Sequence, residues 1–230
     1  MDNCNKLVDE ITKQYKIIGG NWDSEKIEQQ FCAKYIKPDN NILELGSNIG
    51  RVSIVMSHIL KNGAGKLVTL ETNFKIFKTL INNKKNNNLD FMAINKALSK
   101  RDISQVMNGN CWRSYPTNDM SKSEIFTHLR NQVASVDKIS LKELKNETNV
   151  EFDTLVIDCE GAFYFILKDF PEILDGIKLI IIENDCPHEY QNTFILNTIK
   201  KNGFNVVESR TLPIAWGGCK EYFWQVYRRD

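Results

Sequence analysis

Residues 42–53 read ILELGSNIGRVS, and the fold turns on how that stretch is parsed. Ile42–Leu45 is a short apolar run broken only by Glu44. It leads into a turn holding Gly46 and Gly50, with Asn48 between them. Val52, Val55, Met56 and Ile59 then share one helical face. An apolar run closed by glycine and opening into 3.6-residue periodicity is a strand, a tight turn and a helix. The glycine directly after the strand lets the chain reverse, and the second lets backbone and helix come close to a ligand. A dinucleotide fingerprint, G-x-G-x-x-G, has a middle glycine that gives a pyrophosphate room at the helix amino end. Here Asn48 takes that place and Glu44 puts negative charge in the same turn. Such a carboxylate repels a diphosphate and attracts a cation, an α-amino group or a sulfonium. The ligand this turn calls for is a nucleoside bearing an amino acid.

Working outward, β-branched runs alternate with helix-period segments after Pro38, the pattern of strand-helix-strand units feeding a mostly parallel sheet. Strands are expected near 41–45, 66–71, 91–95, 153–158, 177–183, 204–209 and 221–228. Phe74, Phe77 and Ile81 form one covering face, and Ile195, Leu196 and Ile199 another. KLIIIEND is apolar until its last residues, as a central strand covered on both sides should be. EYFWQVYRR reads as a buried terminal strand. The expected organisation is a helical extension over 1–38, with Asp23 capping its second helix, and one α/β domain over 39–230. Ser140 and Glu143 fit a capping box. INNKKNNN reads as solvated surface, and Met107–Met120 as a long irregular loop.

The 230 residues, 42% hydrophobic and 26% charged, lie near the soluble globular average, and a formal net charge of +1 gives no overall pull toward nucleic acid or anionic membrane. No run approaches the roughly 18 apolar residues that span a bilayer, and MDNCNKLVDEITKQYK has no signal-peptide core. A cytoplasmic protein is therefore expected, and the abundance of Asn, Lys and Ile hints at an A/T-rich, viral genome and a host-cytoplasm location. Six cysteines without a C-x-x-C pair argue against a disulfide framework and a structural zinc.

The second strand, KLVTLETN, ends in Glu71, near the roughly 20-residue spacing at which an acid takes ribose hydroxyls. The segments ILELGSNIG, LETN, TLINNKKNNNL, NKALSK, LVIDCEG and LIIIEND together resemble the FkbM family of S-adenosylmethionine-dependent methyltransferases, over roughly residues 40 to 185. The resemblance implies a Rossmann-like, seven-stranded methyltransferase fold in which EYFWQVYRR is the one antiparallel strand. It implies that Glu44, Gly46, Ser47, Asn48 and Gly50 line the amino-acid end of S-adenosyl-L-methionine, Glu71 the ribose and Ala97 the adenine. The family's fourth-strand pattern K-x-D-x-E-G-x-E is kept at Asp158, Glu160 and Gly161, and departs at Val156 and Phe163.

Methyl transfer from a sulfonium is an in-line displacement that needs positioning and an available lone pair. Asp158 and Glu160, two apart at a strand end, point to one face if the strand persists. Two such carboxylates can share a proton, hold a divalent cation or face the donor's charge. The sequence leaves these open, and no motif demands a metal. Glu183 ends the fifth strand in a similar position. Of three histidines, His58 reads as structural, and His188, after the fifth strand, is the candidate base. Trp112, Tyr115, Trp216 and Gly217-Gly218 are candidate acceptor walls. The expected reaction is O-methylation of a small molecule or glycan. A nucleic-acid methyltransferase is the second enzymatic reading, disfavoured because D/N-P-P-Y/F is absent from LVIDCEG, so nucleic acid is not the expected acceptor. A donor-binding scaffold without turnover and a nicotinamide oxidoreductase are the rivals, the latter opposed by Asn48. Oligomeric state is left open.

Overall fold

The computed structural model describes residues 2–108, 111–117, 134–212 and 222–230. Helices α1 (Asp2–Gln14) and α2 (Lys26–Tyr35) precede strand β1 (Ile42–Leu45), α3 (Arg51–Leu60), β2 (Leu67–Leu70), α4 (Phe74–Asn86) and β3 (Met92–Ile94). Short strands follow: β4 (Ala97–Leu98), β5 (Ile103–Asn108), β6 (Cys111–Pro116), β7 (Ala134–Val136) and β8 (Lys138–Ile139). The chain then forms α5 (Leu141–Thr148), β9 (Thr154–Ile157), α6 (Phe163–Asp169), β10 (Leu179–Glu183), α7 (Glu189–Lys201), β11 (Asn205–Arg210) and β12 (Trp224–Arg228).

Seven of the strands make one sheet in the order β11-β12-β10-β9-β1-β2-β3. β12 runs antiparallel to β10 and β11, and the remaining pairings are parallel. This is the Rossmann-like methyltransferase architecture, and every strand expected from the apolar runs is present. Each residue of β1, β2 and β9 is buried, because helices cover both faces of the sheet. Side-chain alternation splits the core into two layers. Leu43, Leu45, Ile157 and Ile180 pack with α5, α6 and α7. Ile42, Val156, Ile181 and Val226 pack with α3 and with Ile11, Phe31 and Cys32 of the amino-terminal helices. The extension over 1–38 therefore shares a core with the sheet. No helix among the described residues is long and apolar enough to cross a membrane.

Several local expectations are corrected. Glu25, at φ 59°, precedes α2 without a side-chain cap, so Asp23 does not cap it; the backbone N–H of Asp23 is instead held by Asn21 Oδ1 at 3.0 Å. On α4 the cap is Asn73, whose side chain accepts from Lys75 N and Ile76 N. That start turns Leu80 and Asn83 inward and leaves Phe74 59% exposed, so the inward face is not the one running through Phe74. The capping box at Ser140 and Glu143 is present. Within the segment expected to be irregular, β5 pairs antiparallel with β6, so 111–116 is strand.

INNKKNNN is not simply solvated. Asn83 is fully buried; its amide donates to the carbonyls of Ile18 (3.0 Å) and Ile49 (2.9 Å), and its oxygen accepts from Ile18 N at 2.8 Å. Asn87 grips Lys16 in the same way, through N–H and C=O. These amides substitute for a strand partner along the link between α1 and α2. Asn83→Ala should therefore destabilise the fold by about 2–3 kcal/mol, because buried backbone groups lose their partners. Urea unfolding checks it, and a change no larger than that of an exposed Asn→Ala would count against this role.

Candidate functional site

The candidate site is a crevice at the carboxyl ends of β1, β2 and β9, the edge where open α/β sheets take ligands. Its floor is set by a close approach of two turns. Gly46 has φ +88°, and a Cβ there would lie 1.7 Å from the carbonyl oxygen of Asp158. Only glycine allows both the conformation and the contact. Asn48, at φ 49°, holds a left-handed position that asparagine tolerates. Glu71 ties this turn to the next: its carboxylate accepts from Asn48 N at 2.9 Å and Asn73 N at 2.7 Å. Burial pushes the Glu71 carboxyl up to about 7, against the pull of these backbone N–H groups.

Above this floor is a cavity of about 220 Å³. Gly46, Asn48, Glu71, Ala97, Asp158 and Glu160 all line it, so the crevice brings together six of the residues singled out in the sequence. The apolar wall continues through Leu98, Ile103 and Pro116. β5 and β6 thus supply a wall that the sequence did not reveal. They are pinned to the β2–α4 turn by Gln105, whose amide donates to Thr72 Oγ1 at 2.6 Å, and by a 3.2 Å hydrogen bond between Thr72 and Ser114. The missed signal was the sequence Gly-Asn between the paired residues Asn108 and Cys111, a dipeptide type that favours hairpin connections.

Other expected site residues fall elsewhere. Glu44 is 2% exposed beneath the turn, where it accepts from Ser53 Oγ at 2.6 Å. Burial raises its carboxyl to about 7. Ser47 is buried, its N–H donating to Leu70 O. A Cβ at Gly50 would meet Leu80 Cδ1 at 2.6 Å, so glycine here lets the start of α3 pack closely on α4. His188 is exposed at the start of α7, stacked on Tyr190 and off the crevice wall, which removes it as the base. His58 bonds the Tyr15 hydroxyl, a structural contact. Tyr115 is half-buried without lining the cavity. His128, Trp216 and Gly217-Gly218 lie outside the described residues, as does the Trp112 side chain.

Asp158 and Glu160 do not share a face through strand parity. β9 ends at Ile157, and Glu160 and Gly161 adopt left-handed conformations, φ 53° and 83°. Asp158 still continues the β9 ladder, its N–H donating to Leu45 O at 3.0 Å, whereas Glu160 is set on the crevice wall by this turn. Arg113 of β6, buried and missed in the sequence, pairs with Glu160 at 3.4 Å. Asp158 is raised well above the usual carboxylate range, first by burial and then by the charge of Glu25, Asp185, Glu28 and Glu160. Glu25, which bonds Asn48 and pairs with Arg51 at 2.8 Å, is raised to about 7 by burial. Glu183 accepts from the Trp224 indole at 2.9 Å and is strongly raised, again by burial first. The two departures from the family pattern are absorbed as core: Val156 is 4% and Phe163 2% exposed. The arrangement is a slot of about 220 Å³ with an apolar wall, the Glu71 carboxylate beside the turn and an acidic inner end.

No protein-family profile matches the chain, and no curated protein does. Among solved structures it is similar to a ribosomal protein L11 methylase from Lactobacillus delbrueckii subsp. bulgaricus, at 11% identity and TM-score 0.51, covering 92% of this chain and 82% of that one. A fibrillarin/Nop5p complex gives 14%, 0.51, 91% and 82%. The tRNA (m1A58) methyltransferase TrmI from Aquifex aeolicus gives 14%, 0.48, 96% and 75%. The fold is therefore the Rossmann-like fold of methyltransferases. The expectation of a small-molecule or glycan acceptor, with nucleic acid disfavoured, is corrected here. The ribosomal protein L11 methylase and the fibrillarin/Nop5p complex are named for macromolecules, and a net charge of +1 says nothing about a local basic surface.

The buried acids set a pH dependence. Glu25, Glu44 and Glu71 are each raised from 4.5 to about 7. Between those values the ligand-free folded state holds protons that the unfolded chain has released, so the contribution of these groups to stability is full below about 4.5 and is lost as pH rises toward about 7. Urea midpoints should fall from about pH 5 to about pH 7.5, with a shallower fall in Glu44→Gln. Midpoints that rise over that range in both proteins would contradict the burial argument.

Proposed function

We propose that the chain is an S-adenosylmethionine-dependent methyltransferase of the FkbM type. The observation that carries this reading is the acid-lined turn Gly46–Asn48 beside Glu71, in a slot without the middle glycine that a diphosphate requires. The residues fit the donor. Asp158 and the turn face its cationic amino-acid end, Glu71 has lone pairs left for ribose hydroxyls, and Ala97, Leu98 and Ile103 offer an apolar wall to the base. When bound, the donor supplies a methyl group on a positively charged sulfur. The acceptor oxygen forms the new bond with its lone pair, the carbon–sulfur electron pair stays on sulfur, and the hydroxyl proton passes to a carboxylate or to water. Asp158 and Glu160, on the crevice wall, are the carboxylates placed to receive it.

The acceptor we favour is a hydroxyl of a nucleic acid. Fold neighbours named as a ribosomal protein L11 methylase and a fibrillarin/Nop5p complex point to macromolecular acceptors, and the absence of D/N-P-P-Y/F points away from an exocyclic amine. Lys96, on the crevice wall, continues through Lys100 and Arg101 to Lys138, which stands opposite Ala97 in the β4–β8 pair. Lys96 with Glu147 and Lys138 with Asp102 form surface pairs, which a phosphate backbone displaces at little cost, whereas Arg101 is held at 2.7 Å by Asp169, whose side chain is 8% exposed. A second reading, a donor-binding scaffold without turnover, draws on Val156 and Phe163 being core where the family pattern is charged.

Release of S-adenosylhomocysteine in the presence of RNA, but not of a sugar panel, is the expected outcome. Donor binding without release on any acceptor would favour the scaffold. Glu71→Ala should weaken S-adenosylmethionine binding by about 1–3 kcal/mol in calorimetry, the cost of losing hydrogen bonds to a charged group. Unchanged affinity in a folded variant would remove Glu71 from the donor site.

A further inference from the structure

Asp158, Glu183 and Asp185 follow or end two neighbouring strands, and each brings one carboxylate oxygen within 4.8 Å of the other two. The register explains the grouping. β9 and β10 pair Ile157 with Ile182, so the residues just beyond leave the sheet side by side. Proximity of acids alone is common and decides nothing. What distinguishes this group is the state of Asp185. Its side chain is 4% exposed; Oδ1 accepts the Gly161 N–H at 2.9 Å, while Oδ2 is buried with no hydrogen-bond partner. A buried carboxylate oxygen without a donor is strongly disfavoured unless a cation or proton meets it. Glu28 of α2 repeats the pattern alongside. Its Oε1 shares the Trp224 indole N–H with Glu183, and its Oε2 is buried and unpartnered.

Arg51 is committed to Glu25, and Arg113 divides its charge between Glu160, 3.4 Å away, and Asp185, so one shared guanidinium faces several buried carboxylates. The donor set is oxygen only, without imidazole or thiolate, which selects a hard ion such as Mg²⁺ or Mn²⁺ over zinc. Of the three acids, Asp158 is the one that meets a cavity. Asp158 lines both the main crevice and a narrower cavity that it shares with Glu25 and Glu28. Water from the crevice can therefore complete the coordination shell, as Mg²⁺ requires.

We propose that Asp158, Glu183 and Asp185 form a divalent-cation site at the inner end of the crevice, taking Mg²⁺ or Mn²⁺. Glu28 stands behind it and orients Glu183 through the shared indole. An ion there lies beside the crevice wall formed by Asp158 and Glu160, where it would draw in an acceptor oxygen and ease loss of its proton. That role rests on the methyltransferase reading, whereas ion binding itself does not.

The test uses full-length protein stripped with EDTA and titrated with Mn²⁺, the free ion being read by electron paramagnetic resonance. One ion per chain is expected. Asp185→Asn and Glu183→Gln should each weaken it by about tenfold or more, while Glu147→Gln, a surface acid paired with Lys96, should not. In the unsubstituted protein, Mn²⁺ should broaden the amide resonances of Gly161 and Asp185 and spare that of Glu147, which locates the ion even if a variant fails to fold. No saturable binding, or broadening centred elsewhere, overturns the proposal. S-adenosylmethionine affinity measured in EDTA separates the two claims. Donor binding without any Mn²⁺ binding defeats the cation site alone, and Mn²⁺ binding without donor binding defeats the methyltransferase reading alone.

Discussion

The crevice depends on how closely the β1 turn passes the end of β9. At Gly46 the backbone lies so near the Asp158 carbonyl that no side chain fits between them. That approach brings the acidic end of β9 under the same slot that the β1–α3 turn opens. Glu71 then locks the β1 and β2 turns together by accepting from both backbones. A crevice built from three strand ends is thereby held by one glycine and one carboxylate. Its far wall is added by β5 and β6 through Gln105, Thr72 and Ser114.

Electrostatics give the slot its direction. Glu25, Glu44, Glu71, Asp158, Glu183 and Asp185 are all raised from their ordinary values, with burial the first cause in each case. A protein that packs this many acids below one ligand edge forgoes stability near neutral pH. The same arrangement favours ligands that bring positive charge and disfavours those that bring phosphate. The apolar wall and the acidic inner end together describe a nucleoside with a cationic tail. The amino-terminal helices take part in this, because α2 places Glu28 against the acidic end and Glu25 lies just ahead of it.

Much of this was legible in the sequence, and the exceptions have physical causes. Strands buried on both faces announce themselves as apolar runs, and all seven strands of the main sheet were read that way. Gly46 and Glu71 were legible because their spacing is imposed by the strand-turn-helix unit. Roles that depend on which way a backbone leaves a strand were not legible. Glu160 reaches the crevice through a left-handed turn that a period-two argument cannot anticipate. Glu44 and Gly50 sit in the motif yet serve the interior, one bonded to Ser53 and the other pressed on Leu80. Asn83 looked like surface because polarity was read without its tertiary partners, the carbonyls of Ile18 and Ile49. Arg113 and Asp185 were invisible because each gains its place from a partner strand far along the chain.

The central claim is that an acid-lined strand-turn-helix accepts a cationic nucleoside in place of a diphosphate. Calorimetric titration of the intact chain with S-adenosylmethionine and, separately, with NAD tests it most directly. The account predicts saturable binding of S-adenosylmethionine at one site per chain and no heat of binding from NAD. Saturable NAD binding that S-adenosylmethionine cannot displace would contradict it.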